Sequence, residues 1–242
     1  MEKIQIGFRT VYKVLIFLFL GVRFLIRAFY IHVSTKDEFQ RMRKFADNST
    51  YTTGRVCHHY NIKIEVKNLP PRDAVGLVVG NHLGFIDILV INSLVPALFI
   101  TSQEMKATPL LGLLCEMGGC LFIERRNRNN ILSELNEIVR YLKHGFSVTL
   151  YPEATSHNGE EVLPFKRTLL TAAAHAEVPI RPYCFNFKSI NGEPFTLKYR
   201  DHVCWYGPIT FFTSYFRLCS LKEVVAEVIF IPMELFFDDS KR

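Results

Sequence analysis

A histidine and an aspartate stand five positions apart in the segment 81–87 (NHLGFID), directly after the apolar run 76–80. On one α-helix, side chains five apart are separated by roughly 140° and would not meet. Contact therefore requires His82 in a turn after a buried strand and Asp87 in the first turn of a following helix. In that arrangement Asp87 would accept the Nδ1 proton of His82, leaving Nε2 to take a proton from a hydroxyl.

The nucleophile in this scheme is a hydroxyl of the substrate, because the segment itself contains no serine. A positioned base of this kind usually contributes about 10²- to 10⁴-fold in rate. A histidine near an aspartate is often purely structural, and the spacing alone arises by chance. The strength of the prediction therefore depends on the polar patterns that follow.

Three further patterns follow in order, each at or beside the end of an inferred strand, where α/β sheets build their sites. The segment 118–126 (GGCLFIERR) is a short apolar strand ending in arginines, and the planar fork of Arg125 suits an anionic phosphate. The segment 151–156 (YPEATS) follows a second apolar strand. The segment 178–182 (VPIRP) leads into a third strand.

The four patterns together resemble the motif blocks of the glycerophospholipid acyltransferase family, which includes 1-acylglycerol-3-phosphate acyltransferases. Those blocks read N-H-x-[ST]-x-x-D, G-x-x-F-I-x-R, [FY]-P-E-G-T-R-S and V-P-[IV]-x-P. The resemblance covers roughly residues 69–187, and four blocks in order carry far more weight than one. It implies acyl transfer from acyl-CoA or acyl-carrier protein to the free hydroxyl of a lysolipid, with no cofactor and no enzyme-linked acyl intermediate.

The resemblance also implies a role for individual residues. His82 would be the general base, Asp87 its orienting partner, and Arg125 the ligand of the acceptor phosphate. The residues implied to bind the glycerol-phosphate part are Glu153 and Thr155, and those implied to shape the acyl-donor side are Val178, Pro179, Ile180 and Pro182.

Three departures from the family blocks bear on the predicted site. Gly84 stands where serine or threonine is usual, which removes a hydroxyl near the catalytic turn. Ala154 replaces the glycine of E-G-T, which argues against a strained backbone there, because alanine tolerates positive φ poorly. Ser156 replaces an arginine and removes a headgroup cation, for which Lys166 or Arg167 would substitute.

A third block without its arginine, followed by an N-G turn and P-F-K, also resembles the subgroup that includes lyso-ornithine-lipid acyltransferases. The tripeptide 205–207 (WYG) before an apolar helix adds to this likeness. We therefore expect 1-acylglycerol-3-phosphate as the acceptor, with lyso-ornithine lipid as the alternative. Two further hypotheses are a hydrolase that activates water with the same pair and a non-catalytic lipid-binding protein. The chain has no G-x-S-x-G elbow to favour the hydrolase.

The composition agrees with an enzyme that works at a membrane surface. The chain has 242 residues, of which 49% are hydrophobic, and a formal net charge of +6 that would attract anionic lipid. Residues 1–60 are predicted to form a helical membrane-association segment, and residues 61–242 the catalytic domain. Nucleic acid is not an expected partner, because no zinc finger, basic helix or aromatic-basic strand accompanies the charge.

The stretch 11–33 decides how the chain meets the membrane. Its longest uncharged run is 14–22, shorter than the roughly 20 residues of a simple spanning helix. At 100° per residue the cations of this stretch and of the residues just before it fall along one line; they are Arg9, Lys13, Arg23 and Arg27. This pattern predicts a basic amphipathic helix in the headgroup region, with a short spanning anchor as the alternative. No signal-cleavage site follows, so the catalytic blocks are predicted to face the cytoplasm.

Strands and helices alternate along the remainder of the chain. Hydrophobic periodicity predicts strands at 61–67, 76–80, 97–101 and 223–231, and helices at 103–116, 130–144, 169–176 and 209–221. The sequence therefore predicts one α/β domain with a largely parallel central sheet flanked by helices, preceded by an N-terminal membrane-associated helical segment. The six cysteines lack a C-x-x-C pair, which predicts reduced thiols and no metal site.

Overall fold

The structure is a computed structural model that describes residues 2–124, 131–232, 235 and 236. Its strands, in chain order, are β1 Ile62–Lys67, β2 Gly76–Gly80, β3 Ala97–Ser102, β4 Leu121–Ile123, β5 Ser147–Leu150, β6 Ile180–Ile190, β7 Glu193–Pro194 and β8 Val224–Phe230. Its α-helices are α1 Glu2–Ser34, α2 Glu38–His59, α3 Phe85–Leu94, α4 Gln103–Lys106, α5 Leu111–Met117, α6 Ile131–Lys143, α7 Thr171–Ala176, α8 Leu197–Val203 and α9 Phe211–Ser220.

The strands form one sheet in the order β1-β8-β6-β2-β5-β3-β4, with β7 paired to β6. All neighbours along this path are parallel except β6 and β8. β6 returns to β7 in a tight hairpin through Asn191 and Gly192, whose φ values of 57° and 86° suit an Asn-Gly turn. The prediction of an α/β fold with a largely parallel sheet flanked by helices is confirmed.

The central strands are buried on both faces of the sheet. Every residue of β2 and β5 is buried, as parallel strands covered by helices should be. Val78 belongs to one apolar cluster, with side chains of α3 and α9, whereas Leu77 and Val79 belong to another, with side chains of α6 and α7. Successive side chains of a strand point to opposite faces, so β2 joins the two layers.

The predicted helix 103–116 is wrong in one respect, because the chain forms two short helices, α4 and α5, in its place. Pro109 lacks an amide hydrogen and disfavours helical backbone in the preceding Thr108. Leu110 then takes a φ of 64°, which redirects the chain into α5. The short elements α8 and β7 have no clear hydrophobic period and were not predicted.

α1 packs along α2. The side-chain amide of Asn48 in α2 donates to the Phe24 carbonyl of α1 at 3.2 Å. Ala28 and Ile31 of α1 form a small buried cluster with Phe45 of α2. These contacts fix the face that α1 turns toward the protein.

Three of the four cations on the predicted line of α1 face the protein and Arg27 is exposed, which corrects the orientation predicted from the sequence. Lys13 is only 2% exposed and donates to the Leu221 carbonyl at 2.8 Å, and Arg9 Nη1 donates to the Ser220 carbonyl at 2.7 Å. Both carbonyls lie at the carboxyl end of α9, where the helix dipole favours positive charge. The Arg23 guanidinium lies over an aromatic ring of α2, 4.2 Å from the ring centroid.

The opposite face of α1 is apolar and exposed over its whole length. The stretch Ile4–Ser34 is long and apolar enough to cross a membrane. Its exposed large hydrophobic side chains include Phe8, Val11, Leu15, Leu18, Phe19, Val22, Ile26 and Phe29. Exposed apolar surface of this size marks a site of protein or membrane contact.

Candidate active site

The turn between β2 and α3 begins with a side chain that extends the sheet. Asn81 Nδ2 donates to the Phe185 carbonyl at 3.0 Å, and Asn81 Oδ1 accepts the Phe185 amide at 2.8 Å. The side-chain amide thus replaces a backbone pairing one residue beyond the end of β2. This contact fixes the point at which the next residue, His82, leaves the sheet.

The predicted contact between His82 and Asp87 is present. His82 Nδ1 lies 3.1 Å from Asp87 Oδ1 and 3.2 Å from Oδ2. Asp87 is completely buried at the third position of α3, where Oδ2 also accepts the amides of Leu83 at 2.6 Å and Gly84 at 2.8 Å. Three N–H donors and the positive end of the helix dipole stabilise the charged carboxylate.

A carboxylate only accepts hydrogen bonds, so His82 Nδ1 must be the donor to Asp87. The neutral imidazole then has an unprotonated Nε2. Within the part of the chain that the structure describes, Nε2 makes no hydrogen bond, and the side chain is 17% exposed. The ring stacks on Tyr151, with centroids 4.2 Å apart and planes 20° apart, which restricts its rotation.

Two buried tyrosines close the side of the pair that faces the core. Burial raises the pKa of Tyr151 well above its usual value, and the charge of Asp87 raises it further; the same two causes act on the pKa of Tyr183. The ring of Tyr183 occupies the place of a side chain at Gly80, where an added Cβ would lie 2.2 Å from Tyr183 Cζ. A side chain at the end of β2 would therefore have to displace this buried ring.

The backbone conformation at position 84 explains why glycine stands there, which the sequence alone did not indicate. Its φ of 157° and ψ of −161° lie in a region that is essentially restricted to glycine. A Cβ there would lie 3.0 Å from the Trp205 amide nitrogen, which donates to the Leu83 carbonyl at 2.8 Å. Glycine at this position, where the family block has serine or threonine, thus allows the close backbone contact with the 203–205 segment.

Glu153 makes its contacts inside the protein. Oε1 accepts the His82 amide at 2.9 Å, and Oε2 accepts the Leu163 amide at 2.8 Å. The side chain of Glu153 is fully buried, and His157 Nε2 lies 2.8 Å from its Oε2. These contacts favour a positioning role for Glu153, whereas the resemblance implied that it binds the substrate. His157 was not predicted, and only its place at the end of the third block could have indicated it.

The backbone of Ala154 is in a positive-φ conformation, although its alanine side chain led us to expect an unstrained backbone there. Its φ is 58°, so the left-handed conformation is retained although alanine replaces glycine. The Ala154 amide donates to the Tyr151 carbonyl at 3.0 Å, which closes the turn after β5. An L-residue in this conformation is destabilised by about 1–2 kcal/mol.

The remaining residues predicted to bind the acceptor are placed as follows. Arg125 lies outside the described residues. Just before it, the Glu124 amide donates to Glu134 Oε1 at 2.5 Å, which fixes the end of β4. Thr155 and Lys166 are both exposed, and the Lys166 amide donates to the Pro152 carbonyl at 2.8 Å, so the basic segment after the third block returns to that block.

The four residues predicted for the acyl-donor side follow one another along the chain that enters β6. Pro182 pairs with Val79 near the carboxyl end of β2, close to the turn that contains His82. The Pro179 carbonyl accepts the Leu77 amide nearer the other end of β2, about 10 Å of strand from Pro182. Val178 precedes it in the chain, and Ile180 is buried. Only Pro182 of this set is therefore placed beside the site.

A cavity of about 390 Å³ lies beside the turn. Apolar and polar side chains line it together, among them Leu83, His157, Val162, Phe165, Pro182 and Asn186. Within the described residues, no three His, Cys, Asp or Glu side chains are grouped so as to hold a metal ion.

These features define an α/β protein with a histidine–aspartate pair at the carboxyl edge of its sheet, next to a cavity that Leu83 and His157 line. The family model described as acyltransferase matches residues 61–186, which is more than half of the chain. The chain therefore belongs to the acyltransferase family, and the resemblance seen in the four motif blocks is confirmed.

Named relatives agree with this assignment. The chain is 29% identical over 161 residues to a lyso-ornithine lipid O-acyltransferase of Rhizobium meliloti, covering 64% of this chain and 55% of that protein. It is 28% identical over 172 residues to a 1-acyl-sn-glycerol-3-phosphate acyltransferase of Neisseria gonorrhoeae, covering 71% and 65%. The chain thus matches less than two thirds of the length of either relative.

A solved structure shares the whole fold. The crystal structure of a 1-acyl-sn-glycerophosphate acyltransferase from Thermotoga maritima superposes with a TM-score of 0.66 at 20% identity. The match covers 100% of this chain and 91% of that chain.

Proposed function

We propose that this protein transfers a fatty acyl chain from an acyl thioester to the hydroxyl of a lysolipid. The observation that carries the proposal is the His82–Asp87 contact, with Nδ1 committed to the carboxylate and Nε2 without a hydrogen bond in the described chain. Asp87 orients the ring, and Nε2 accepts the proton of the acceptor hydroxyl. Membership of the acyltransferase family supports this use of the pair.

The reaction needs no covalent bond between the acyl chain and the protein. The acceptor oxygen forms a bond to the thioester carbonyl carbon as its proton passes to His82 Nε2. The carbon–sulfur bond then breaks, and the proton leaves with the thiol of coenzyme A or of the carrier protein. Asp87 stabilises the imidazolium that exists between the two transfers.

The proposed acceptor is 1-acylglycerol-3-phosphate, with Arg125 as the ligand of its phosphate. Lyso-ornithine lipid is the second candidate, because relatives of both names match the chain and Ser156 stands where the family block has an arginine. Thr155 and Lys166 are exposed and are proposed to contact the headgroup. Pro182 is proposed to line the acyl-donor side.

The proposed site of action is the cytoplasmic surface of a membrane, on which α1 lies with its apolar face toward the acyl chains. Its inner cations are engaged by α2 and α9, so the helix is joined to the catalytic part along its length. Liposome sedimentation tests this placement. Leu15→Glu with Phe19→Glu should lower binding by about 10²-fold, whereas the equally exposed Leu132→Glu on α6 should not; equal binding by all three proteins would contradict it.

The test of function is an incubation of purified protein with a labelled acyl thioester and a panel of lysolipids. The panel contains lysophosphatidic acid, lyso-ornithine lipid and lysophosphatidylcholine, with acyl-CoA and acyl-carrier protein as separate donors. Labelled diacyl lipid from one acceptor is the expected product. Release of labelled free fatty acid without any acylated lipid would show a hydrolase instead and overturn the proposal.

A further inference from the structure

The backbone of His82 is held from both sides by the segment that follows β5. Glu153 Oε1 accepts its amide at 2.9 Å, and the His157 amide donates to its carbonyl at 3.2 Å. Glu153 Oε2 also accepts the Leu163 amide, which belongs to the loop bordering the cavity. One buried carboxylate therefore connects the base to the cavity wall.

The two ring nitrogens of His157 differ in their contacts. The Gly159 amide donates to Nδ1 at 3.0 Å, so Nδ1 carries no proton and the ring hydrogen is on Nε2. Nε2 lies 2.8 Å from Glu153 Oε2, but the angle is too bent for a hydrogen bond, so the contact between the Nε2–H and the carboxylate is electrostatic. Side-chain exposure of 9% for His157 and 0% for Glu153 keeps water from replacing this contact.

We infer that His157 is a positioning residue for the catalytic base and acts through Glu153. The partial positive charge of its Nε2–H, close to Oε2, attracts the Glu153 carboxylate, and that carboxylate accepts the His82 amide. The inference rests on the proposed role of His82 as the base. Position 157 corresponds to the final serine of the family's third block, so this imidazole is a feature of this chain and not of the block.

Loss of the Nε2–H would remove a partial positive charge from beside a buried carboxylate that has only the His82 and Leu163 amides as hydrogen-bond donors in the described chain. Buried charged groups without sufficient donors are strongly destabilised, so the Glu153 side chain would move to regain a partner. That movement would loosen the His82 amide and misalign Nε2 with the acceptor hydroxyl. Small misplacements of this kind reduce turnover by up to about 10²-fold.

Two substitutions at His157 separate its two nitrogens. His157→Gln keeps a donor near the position of Nε2, whereas His157→Asn keeps an acceptor near the position of Nδ1 and loses the donor. Positioning through Glu153 predicts near-normal kcat for the glutamine variant and a kcat about 10- to 100-fold lower for the asparagine variant. The KM values for both substrates should be unchanged in each variant.

The opposite outcomes are equally clear. A raised acceptor KM in both variants would mean that His157 touches the substrate from the cavity wall, and would overturn the inference. Low kcat in the glutamine variant with normal kcat in the asparagine variant would assign its role to the Gly159 contact, with the same consequence.

Hydrogen exchange of the substrate-free, full-length protein tests how firmly Glu153 holds the His82 amide, without relying on turnover. The asparagine variant should show at least tenfold faster exchange of the His82 amide, and the glutamine variant a rate within about twofold of wild type. Unchanged exchange in the asparagine variant would contradict the inference. Absence of acyl transfer by the wild-type protein, in contrast, would contradict the proposed function and leave the exchange comparison valid.

Discussion

Two histidine–carboxylate pairs lie side by side at the carboxyl edge of the sheet, and they differ in the use of their imidazole nitrogens. His82 commits Nδ1 to Asp87 and keeps Nε2 without a hydrogen bond in the described chain, with 17% of its side chain exposed. His157 Nδ1 accepts the Gly159 amide, and its Nε2 lies 2.8 Å from Glu153 Oε2 without hydrogen-bond geometry, with 9% of its side chain exposed. The contact distances of the pairs, 3.1 and 2.8 Å, do not distinguish them.

The comparison shows that an imidazole beside a carboxylate is not by itself a base. The remaining nitrogen has to be unprotonated, without a partner and within reach of a substrate. Within the described chain, the first pair meets the first two conditions because its carboxylate lies on the side of Nδ1. In the second pair the carboxylate lies on the side of Nε2 and a backbone amide on the other, which makes the ring part of the scaffold.

The largest expected effect separates the two histidines directly. His82→Ala should lower acyl transfer by about 10²- to 10⁴-fold, because it removes the proton acceptor. His157→Gln, which retains a donor toward Glu153, should stay near wild type. Turnover with labelled thioester measures both variants, and circular dichroism checks their folding. Near-normal turnover by folded His82→Ala protein would remove the distinction between the pairs.

We expect substitution of Asp87 to lower turnover more than substitution of Glu153. Asp87→Asn keeps an oxygen for the backbone amides but places a donor against His82 Nδ1, which forces the ring proton onto Nε2. We expect turnover to fall by about 10²-fold or more. Glu153→Gln still offers an acceptor to the His82 amide, so its loss should be smaller. Steady-state kcat values provide the test, and a larger loss at Glu153 would reverse the assignment of the two pairs.

The turn of the first pair depends on glycine, which leads to a stability prediction. Gly84→Ala adds a Cβ at 3.0 Å from the Trp205 nitrogen and retains a backbone conformation unsuited to alanine. The free energy of unfolding should decrease by about 1–3 kcal/mol. Denaturant titration measures this change, and a variant as stable as wild type would show that the turn tolerates a side chain.

In the segment of the second pair, Ala154 occupies a left-handed backbone conformation. Its replacement by glycine should therefore stabilise the protein, whereas Gly84→Ala should destabilise it. Ala154→Gly removes the strain of a φ of 58° and should raise the free energy of unfolding by about 1 kcal/mol. Ala173→Gly, in the buried part of α7, is the matched control and should lower it by a similar amount. The same denaturant titration applies, and destabilisation by both changes would refute strain at Ala154.

The sequence predicted much of this site because the first pair is local. Strand, turn and helix follow one another within residues 76–94, so periodicity and spacing determine that His82 meets Asp87. The same reasoning located most of the strands and longer helices. It failed at Pro109, where one proline divides a helix, and at Ala154, where contacts of the turn outweigh the conformational preference of alanine.

The second pair and the inner face of α1 could not be predicted, because both depend on contacts between distant segments. His157 has meaning only beside His82, 75 positions earlier in the chain. The cations of α1 match a lipid surface by charge, yet the carbonyls at the end of α9 are available to them once the chain folds. Helical spacing identified this cationic line and could not tell which surface it meets.

The central claim is that His82 holds its proton on Nδ1 and leaves Nε2 to act as the base. Nitrogen-15 NMR of histidine-labelled protein, at a pH where both rings are neutral, tests it directly. The account predicts opposite tautomers, with His82 protonated on Nδ1 and His157 on Nε2. A His82 ring protonated on Nε2 would have no lone pair to offer the acceptor hydroxyl, and would contradict the account.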